Sequence, residues 1–196
     1  MTVEKMHQIF THMPSLESER LLLRPLSPKD ALDMYEYASG RELTKYLLWD
    51  PHPDPQYTLE YLEYLEGRYA VGDFYDWALT LKPGGKMIGT CGFTSFDLPN
   101  NSAEIGYVIH HAYQGMGYAV EAAKQVISFG FSTLGLSRIS AVCMQENQKS
   151  LRVMQKLGMR LEGTLRSAIL VKGIRRDISV CAITAEDFEK ISATYI

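Results

Sequence analysis

The chain has 196 residues and a mass of 22.2 kDa, the size of one ordinary domain or two very small ones. With 46% hydrophobic and 22% charged residues it reads as a soluble globular protein with a full core, which excludes disordered, collagen-like and low-complexity architectures and any need for a disulfide or metal staple. A formal charge of −3 argues against a nucleic-acid partner, and no run approaches the roughly 18 apolar residues of a membrane span.

Residues 1–17 read as a loosely held leader without an apolar targeting segment, so a cytoplasmic location is expected. Pattern begins at Arg20-Leu21-Leu22-Leu23-Arg24, a short strand stopped by Pro25. Ser27-Pro28 opens a helix: Ser27 is a good N-cap, and Pro28 in the first turn loses no hydrogen bond. Ala31, Leu32, Met34, Tyr35 and Ala38 give that helix its apolar side, and Gly40 ends it. A proline-rich turn over residues 49–55 leads to a second helix over about residues 57–71.

Strand grammar follows Gly72. Residues 74–81 and 86–94 are joined by the turn Pro83-Gly84-Gly85, and Pro99-Asn100-Asn101 turns into a strand over 103–109. A helix spans about 117–134, with Ala119, Ala122, Ala123, Val126, Ile127 and Gly130 at helical spacing. Residues 138–144 form a strand. Asn147 caps a helix whose Leu151, Met154 and Leu157 share a face, closed by Gly158. Strands over about 159–171 and 174–183 flank Lys172-Gly173, and residues 189–196 form a tail. No repeat or linker interrupts this order. It predicts a single α/β (α+β) domain with a mixed, mostly antiparallel sheet flanked by helices.

Cys91, Cys143 and Cys181 are odd in number and each lies in an apolar run, so they read as buried free thiols. The sharpest local signal is Gln114-Gly115-Met116-Gly117-Tyr118-Ala119, between a strand and a helix. Small residues at a helix start admit a ligand close to the backbone, and the free N–H groups of the first turn suit a diphosphate. The alternative is that the glycines only shape a tight turn. Neither G-x-x-x-x-G-K-[ST] nor G-x-G-x-x-G fits, which disfavours a nucleotide-dependent oxidoreductase. His110-His111 suggests a metal or a base, but neighbouring strand residues point to opposite faces and no third ligand has metal spacing, so no metal is expected.

Gln114, Gly117 and Ala119, in the pattern Q-x-x-G-x-A, resemble the acyl-CoA loop of the GNAT acetyltransferases. Ser18-Glu19-Arg20-Leu21 with Leu23-Arg24-Pro25 is similar to the opening strand of the RimJ/RimL-type branch, the ribosomal-protein N-acetyltransferases and their relatives. So are Trp49-Asp50-Pro51-His52, Glu104-Ile105-Gly106-Tyr107, Glu121-Ala122, Asn147 with Ser150, Leu157-Gly158-Met159 with Glu162-Gly163, and Gly173 with Asp177. The likeness covers residues 18–188 in order; Cys181 departs from it, where the branch often carries Tyr.

The resemblance implies a GNAT fold and acetyl transfer from acetyl-CoA to a primary amine, by direct attack in a ternary complex. The acceptor would be a small amine or a ribosomal or other protein N-terminus, and the protein a monomer or homodimer that needs no metal. It places the acyl-CoA diphosphate on Gln114, Gly115, Met116, Gly117, Tyr118 and Ala119. The oxyanion would meet a backbone N–H among Val108, Ile109 and His110, and Asn147 would touch the pantetheine arm as well as cap its helix. Glu104 is the expected base, acting through water, with Glu162 as rival; Glu104 could instead be an ordinary exposed strand acid and Glu162 a salt-bridge partner in its basic stretch. Ser150 would donate to the leaving thiolate, or serve only its own helix start. Trp49, with Tyr46 and Trp77, would line the acceptor pocket or join the core. An acyl-CoA-binding sensor without turnover is the alternative function.

Charge adds one expectation. Residues 30–76 hold 11 acids against three bases, and residues 147–176 hold eight bases against Glu162. The first segment would steer a cationic amine and the second the polyanionic acyl donor, unless these groups sit on solvated faces without common direction.

Overall fold

Strand alternation and helical spacing resolve into seven helices and eight strands over residues 2–194, which the computed structural model describes, with side chains to residue 191. In chain order these are α1 (Val3–Thr11), β1 (Leu16–Glu17), β2 (Leu21–Arg24), α2 (Ala31–Ala38), α3 (Arg41–Thr44) and α4 (Pro55–Ala70). Then come β3 (Asp76–Leu81), β4 (Met87–Asp97), β5 (Ser102–Ile109), α5 (Tyr118–Ser132) and β6 (Arg138–Met144). The chain closes with α6 (Gln148–Lys156), β7 (Arg160–Val171), β8 (Ile174–Thr184) and α7 (Ala185–Thr194). The strands form one sheet in the order β1-β2-β3-β4-β5-β6-β8-β7, antiparallel except where β5 meets β6. This is the expected mixed, mostly antiparallel architecture.

Alternation along β3 shows how the core divides. Trp77 and Leu79 go to one face, packed with Phe10, Ile105, Val126 and Ile139 under α1 and α5. Ala78 goes to the other, packed with Met34, Tyr37, Leu62 and Tyr69 of α2 and α4. Local chemistry fixes the ends. The Ser27 hydroxyl and Asp30 carboxylate form a reciprocal cap around Pro28, and buried Asp30 also takes two hydrogen bonds from Arg24 at 2.8 and 2.6 Å. The three cysteines are buried and free.

Two expectations about the ends need correction. Residues 2–17, the described part of the expected leader, are not loosely held: Met6 and Phe10, one helical turn apart, bury themselves, and the Phe10 ring lies 4.7 Å from Tyr75 and 6.1 Å from Trp77. β1 pairs with β2 as well. Nor is the other end a tail, since α7 runs through residue 194 and stacks Phe188 on Phe131 at 5.0 Å; residues 195–196 lie outside the described part. The sequence reading also missed the one-turn α3. Among the described residues no helix is long and apolar enough to cross a membrane.

One feature of the sheet prepares a site. β5 follows β4 as far as Ile109, and β6 follows β8 as far as Met144, but β5 and β6 pair only through Ser102, Ala103 and Glu104. Beyond Glu104 the two parallel strands part. The backbone edge of β5 from Ile105 onward is therefore open.

Candidate active site

A cavity of about 1120 Å³ fills the gap between the parted strands and continues under α2 and α4. Glu104, Tyr107 and Val108 line it from β5, Asn147 and Ser150 from α6, and Trp49 from the proline-rich turn. Glu104 and Val108 lie on the α2–α4 face, whereas Tyr107 packs with the α5 cluster, as alternation along one strand requires.

Glu104 stands where β4 bulges. Phe93 pairs with Ile105 and Ser95 with Glu104, so Thr94 is the extra residue, and its hydroxyl donates to Glu104 Oε1 at 3.0 Å. On the opposite face Tyr107 Oη and Ser150 Oγ lie 2.8 Å apart. Ser150 is positioned by its helix start, because its N–H donates to Asn147 Oδ1 at 3.2 Å. Burial raises the Tyr107 phenol far above its ordinary range, with the Ser150 contact opposing, so it stays protonated as a donor. Tyr107 was not singled out from the sequence as a site residue. Its signal, Tyr three positions after Glu104, gains meaning only when Ser150 arrives from 43 residues away.

The three N–H groups expected to serve an oxyanion are not equivalent. His110 N–H already donates to Ile88 O at 2.8 Å. Ladder alternation then sends Val108 N–H to β4 as well and turns Ile109 N–H to the open edge. The carbonyl of Ile109 faces the same way and accepts from Gln114 Nε2 at 3.1 Å. His110 and His111 do not take opposite faces of a strand. They leave β5 into a single 3₁₀ turn (His111–Tyr113), and their rings stack at 4.5 Å. His110 Nδ1 accepts from Ala112 N–H, and burial lowers its pKa, so the ring is neutral and structural. No His, Cys, Asp and Glu group suited to a metal occurs among the described residues.

Gly115 and Gly117 both adopt left-handed backbone, with φ of 83° and 88°. Gly117 is the N-cap of α5 and has no side chain to offer, so the first-turn N–H groups from Tyr118 onward lack an intrahelical partner and face outward. A methyl at Gly115 would meet nothing within 4 Å, so the loop's surface is open there. Arg20 braces the turn: it donates to the Met116 carbonyl (3.1 Å) and to Glu121 (2.7 Å) and lies over the Tyr118 ring at 4.2 Å. Lys149 Nζ reaches Gln114 Oε1 at 3.2 Å and brings a positive charge to the same loop. Unpaired N–H groups, a positive helix end and one lysine are chemically suited to a diphosphate.

Other candidates fall elsewhere. Glu162 sits on β7, pairs with Arg138 and has its pKa lowered by that contact; it does not reach the cavity. Trp77 is fully buried core, its indole N–H donating to Pro14 O at 2.7 Å. Tyr46 does line the cavity beside Trp49.

Residues 20–160 match the acetyltransferase (GNAT) domain. The chain is 32% identical over 176 residues to an uncharacterised N-acetyltransferase, p20, of Bacillus licheniformis, covering 90% of this chain and 99% of that one. It is 25% identical over 178 residues to the spermidine N(1)-acetyltransferase of Escherichia coli (strain K12), covering 86% and 88%. A solved acetyltransferase of the GNAT family from Bacillus anthracis superposes with a TM-score of 0.79 at 30% identity, covering 88% of this chain and 99% of that one. The chain therefore belongs to the GNAT family, as an acetyl-CoA-dependent acyltransferase related to the RimJ/RimL-like branch.

Proposed function

We propose that the protein acetylates a primary amine by direct attack of the amine on acetyl-CoA bound in the gap between β5 and β6. The observation that carries this reading is the division of one strand. Glu104 faces the α2–α4 side and the Tyr107–Ser150 pair faces the α6 side, with the open Ile109 edge between them.

In this reading the diphosphate lies on the Gly115–Ala119 turn, and the pantetheine arm follows β5 past Asn147. An amine with pKa near 8 to 10.4 arrives as ammonium and must lose a proton to attack. Glu104, held by Thr94, takes that proton directly or through water. The amine nitrogen then bonds to the thioester carbon, and charge gathers on the carbonyl oxygen. Ile109 N–H is the donor free to meet it. The carbon–sulfur bond breaks as the carbonyl re-forms, and the nitrogen, cationic after attack, loses its second proton to give the neutral amide, which offsets the proton that sulfur gains. Tyr107 Oη, backed by Ser150 Oγ, supplies a proton or hydrogen bond to the departing thiolate.

The acceptor belongs to the α2–α4 side of the cavity, where Trp49, Tyr46 and Tyr61 stand on its wall. The name of the Escherichia coli relative supports a small amine, and a protein N-terminus is the other member of the same chemical class. The test is release of CoA thiol from acetyl-CoA in the presence of small amines and short peptides, with the acetylated product identified by mass. Turnover that depends on Glu104 supports the proposal. Tight acetyl-CoA binding with no turnover on any amine would replace it with the sensor reading.

A further inference from the structure

Six of the 11 acids of residues 30–76 are held by local partners. Asp30 pairs with Arg24, Asp33 and Glu36 with Lys86, Asp50 with Lys172, and Asp73 with Arg68, while Asp54 caps α4. Asp76 is different. It lines the cavity, and its Oδ1 is buried without a hydrogen-bond partner. A buried carboxylate oxygen left unpaired costs free energy unless something supplies a donor.

The surroundings show where that donor would come from. Asp76 pairs across the sheet with Gly92, and Gly92 with Gly106. Two glycines in a row leave a trough without side chains from Asp76 to β5. A methyl at Gly92 would sit 2.8 Å from Asp76 Oδ1, so the orphan oxygen leans over Gly92 toward β5. Antiparallel pair spacings of about 4.5 and 5.5 Å put Asp76 Cα about 10 Å from Gly106 Cα. On the other wall, Tyr37 Oη of α2 is also buried without a partner, and its pKa is raised by burial and by Asp76.

We propose that Asp76 and Tyr37 form a second cation subsite, which binds the distal ammonium of a short diamine whose other nitrogen is acetylated at the β5 edge. The assignment rests on the acetyltransferase reading above and names its acceptor class. A primary ammonium has three donors and can satisfy both orphan oxygens at once. Two nitrogens separated by four methylenes stand about 6 Å apart when extended, as bond lengths near 1.5 Å dictate, short enough to lie within the trough. Tyr61 on the same cavity wall gives the methylenes an apolar neighbour.

Protonation gives a separate handle. Burial pushes the Asp76 carboxyl up to about 7, against the opposing pull of the Thr90 hydroxyl and Trp77 N–H. The titratable groups around it are Tyr37 from α2, Tyr61 and Tyr69 from α4, Cys91 from β4 and Glu104 from β5, with the Arg68–Asp73 pair at the cavity wall. Burial raises the tyrosines and Cys91, so they stay neutral near pH 7. Binding of a distal ammonium therefore weakens as pH falls through about 7 and Asp76 takes up a proton.

The test compares 1,4-diaminobutane, 1-aminobutane and 4-aminobutanoate as acceptors for the full chain. Wild type should prefer the diamine over the monoamine in kcat/KM by about tenfold or more, through KM, the scale of one charge-assisted hydrogen bond. The acid should be the poorest. In Asp76→Asn the diamine-to-monoamine ratio should fall to about one, and in Tyr37→Phe by about threefold. A preference that is absent in wild type, or that survives in Asp76→Asn, overturns the assignment. If no amine is acetylated, the parent reading fails, and calorimetry of 1,4-diaminobutane with wild type and Asp76→Asn still decides: heat seen only in wild type supports the subsite, and equal or absent heat refutes it. Thermal melting guards against misfolding. A folded-state pKa above the unfolded one means that Asp76 costs stability as pH rises from about 4 to about 7, so Asp76→Asn should melt higher than wild type at pH 8, with the gap closing toward pH 4.

Discussion

The two sides of β5 are made of different material. Toward α5 and α6 the receptor is mostly backbone: the glycine turn, the first-turn N–H groups of α5 and the exposed Ile109 N–H. Toward α2 and α4 it is side chains brought from four elements and a turn: Tyr37, Trp49, Tyr61, Asp76 and Glu104. A backbone receptor suits a ligand that never changes, because it survives substitution of the residues that carry it. A side-chain receptor can be rewritten one residue at a time. In the proposed mechanism the acyl donor takes the first kind of site and the acceptor the second.

The largest expected effect breaks the side-chain half at its chemical centre. Glu104→Gln should lower kcat by about 10²- to 10⁴-fold, the range for a general base, while the KM for acetyl-CoA stays within about threefold. Steady-state kinetics at saturating acetyl-CoA reads this directly. A wild-type rate in that variant would move the base to another group.

On the backbone half the change must be made in the backbone. Gly117→Val places a branched residue at φ 88°, where left-handed strain of about 1–2 kcal/mol applies, and it covers the approach to the N–H groups. CoA affinity by calorimetry should fall about 5- to 30-fold, with kcat much less affected. Its nearest neighbour, Arg20 Nη2 at 3.5 Å from the new Cβ, leaves room for the protein to fold. Unchanged CoA affinity in folded Gly117→Val would remove the diphosphate from this turn.

Smaller effects sharpen the boundary between the halves. Tyr107→Phe should reduce kcat by about tenfold or more and Ser150→Ala by less, because in the proposed mechanism Ser150 acts through the Tyr107 hydroxyl, which it contacts at 2.8 Å. Equal loss in both variants would make the pair a single donor unit. The smallest effect concerns steering. Since five of the 11 acids in residues 30–76 already pair with bases, kcat/KM for a cationic amine should fall less than about threefold between 0.1 and 1 M salt, over which the Debye length shortens from about 10 to about 3 Å. A much steeper drop would mean that the unpaired acids act jointly.

The same contrast decides how much was legible in the sequence. The backbone turn is a contiguous motif, Gln114 to Ala119, and its glycines advertise the positive φ they adopt. Strands β3 to β6 and β8 and helices α5 and α6 were readable for a related reason, as their apolar periods are sustained along the element. α1 was not, because its apolar residues are few and unevenly used: Met6 and Phe10 are buried, Ile9 packs against the core only in part, and Val3 is exposed. Asp76 looked like one more acid in an acidic stretch. Its burial is tertiary, created by Tyr37, Thr90 and Gly92, none of them its neighbour in sequence. Tyr107 was hidden likewise, since Ser150 defines its role.

The central claim is that donor and acceptor occupy the two halves together and react without a covalent enzyme intermediate. Initial velocities measured while both acetyl-CoA and an amine are varied test it most directly. The account predicts lines that intersect in double-reciprocal form, together with one acetylated amine formed per CoA released. Parallel lines, or CoA release that proceeds at the same rate without an amine, would contradict it.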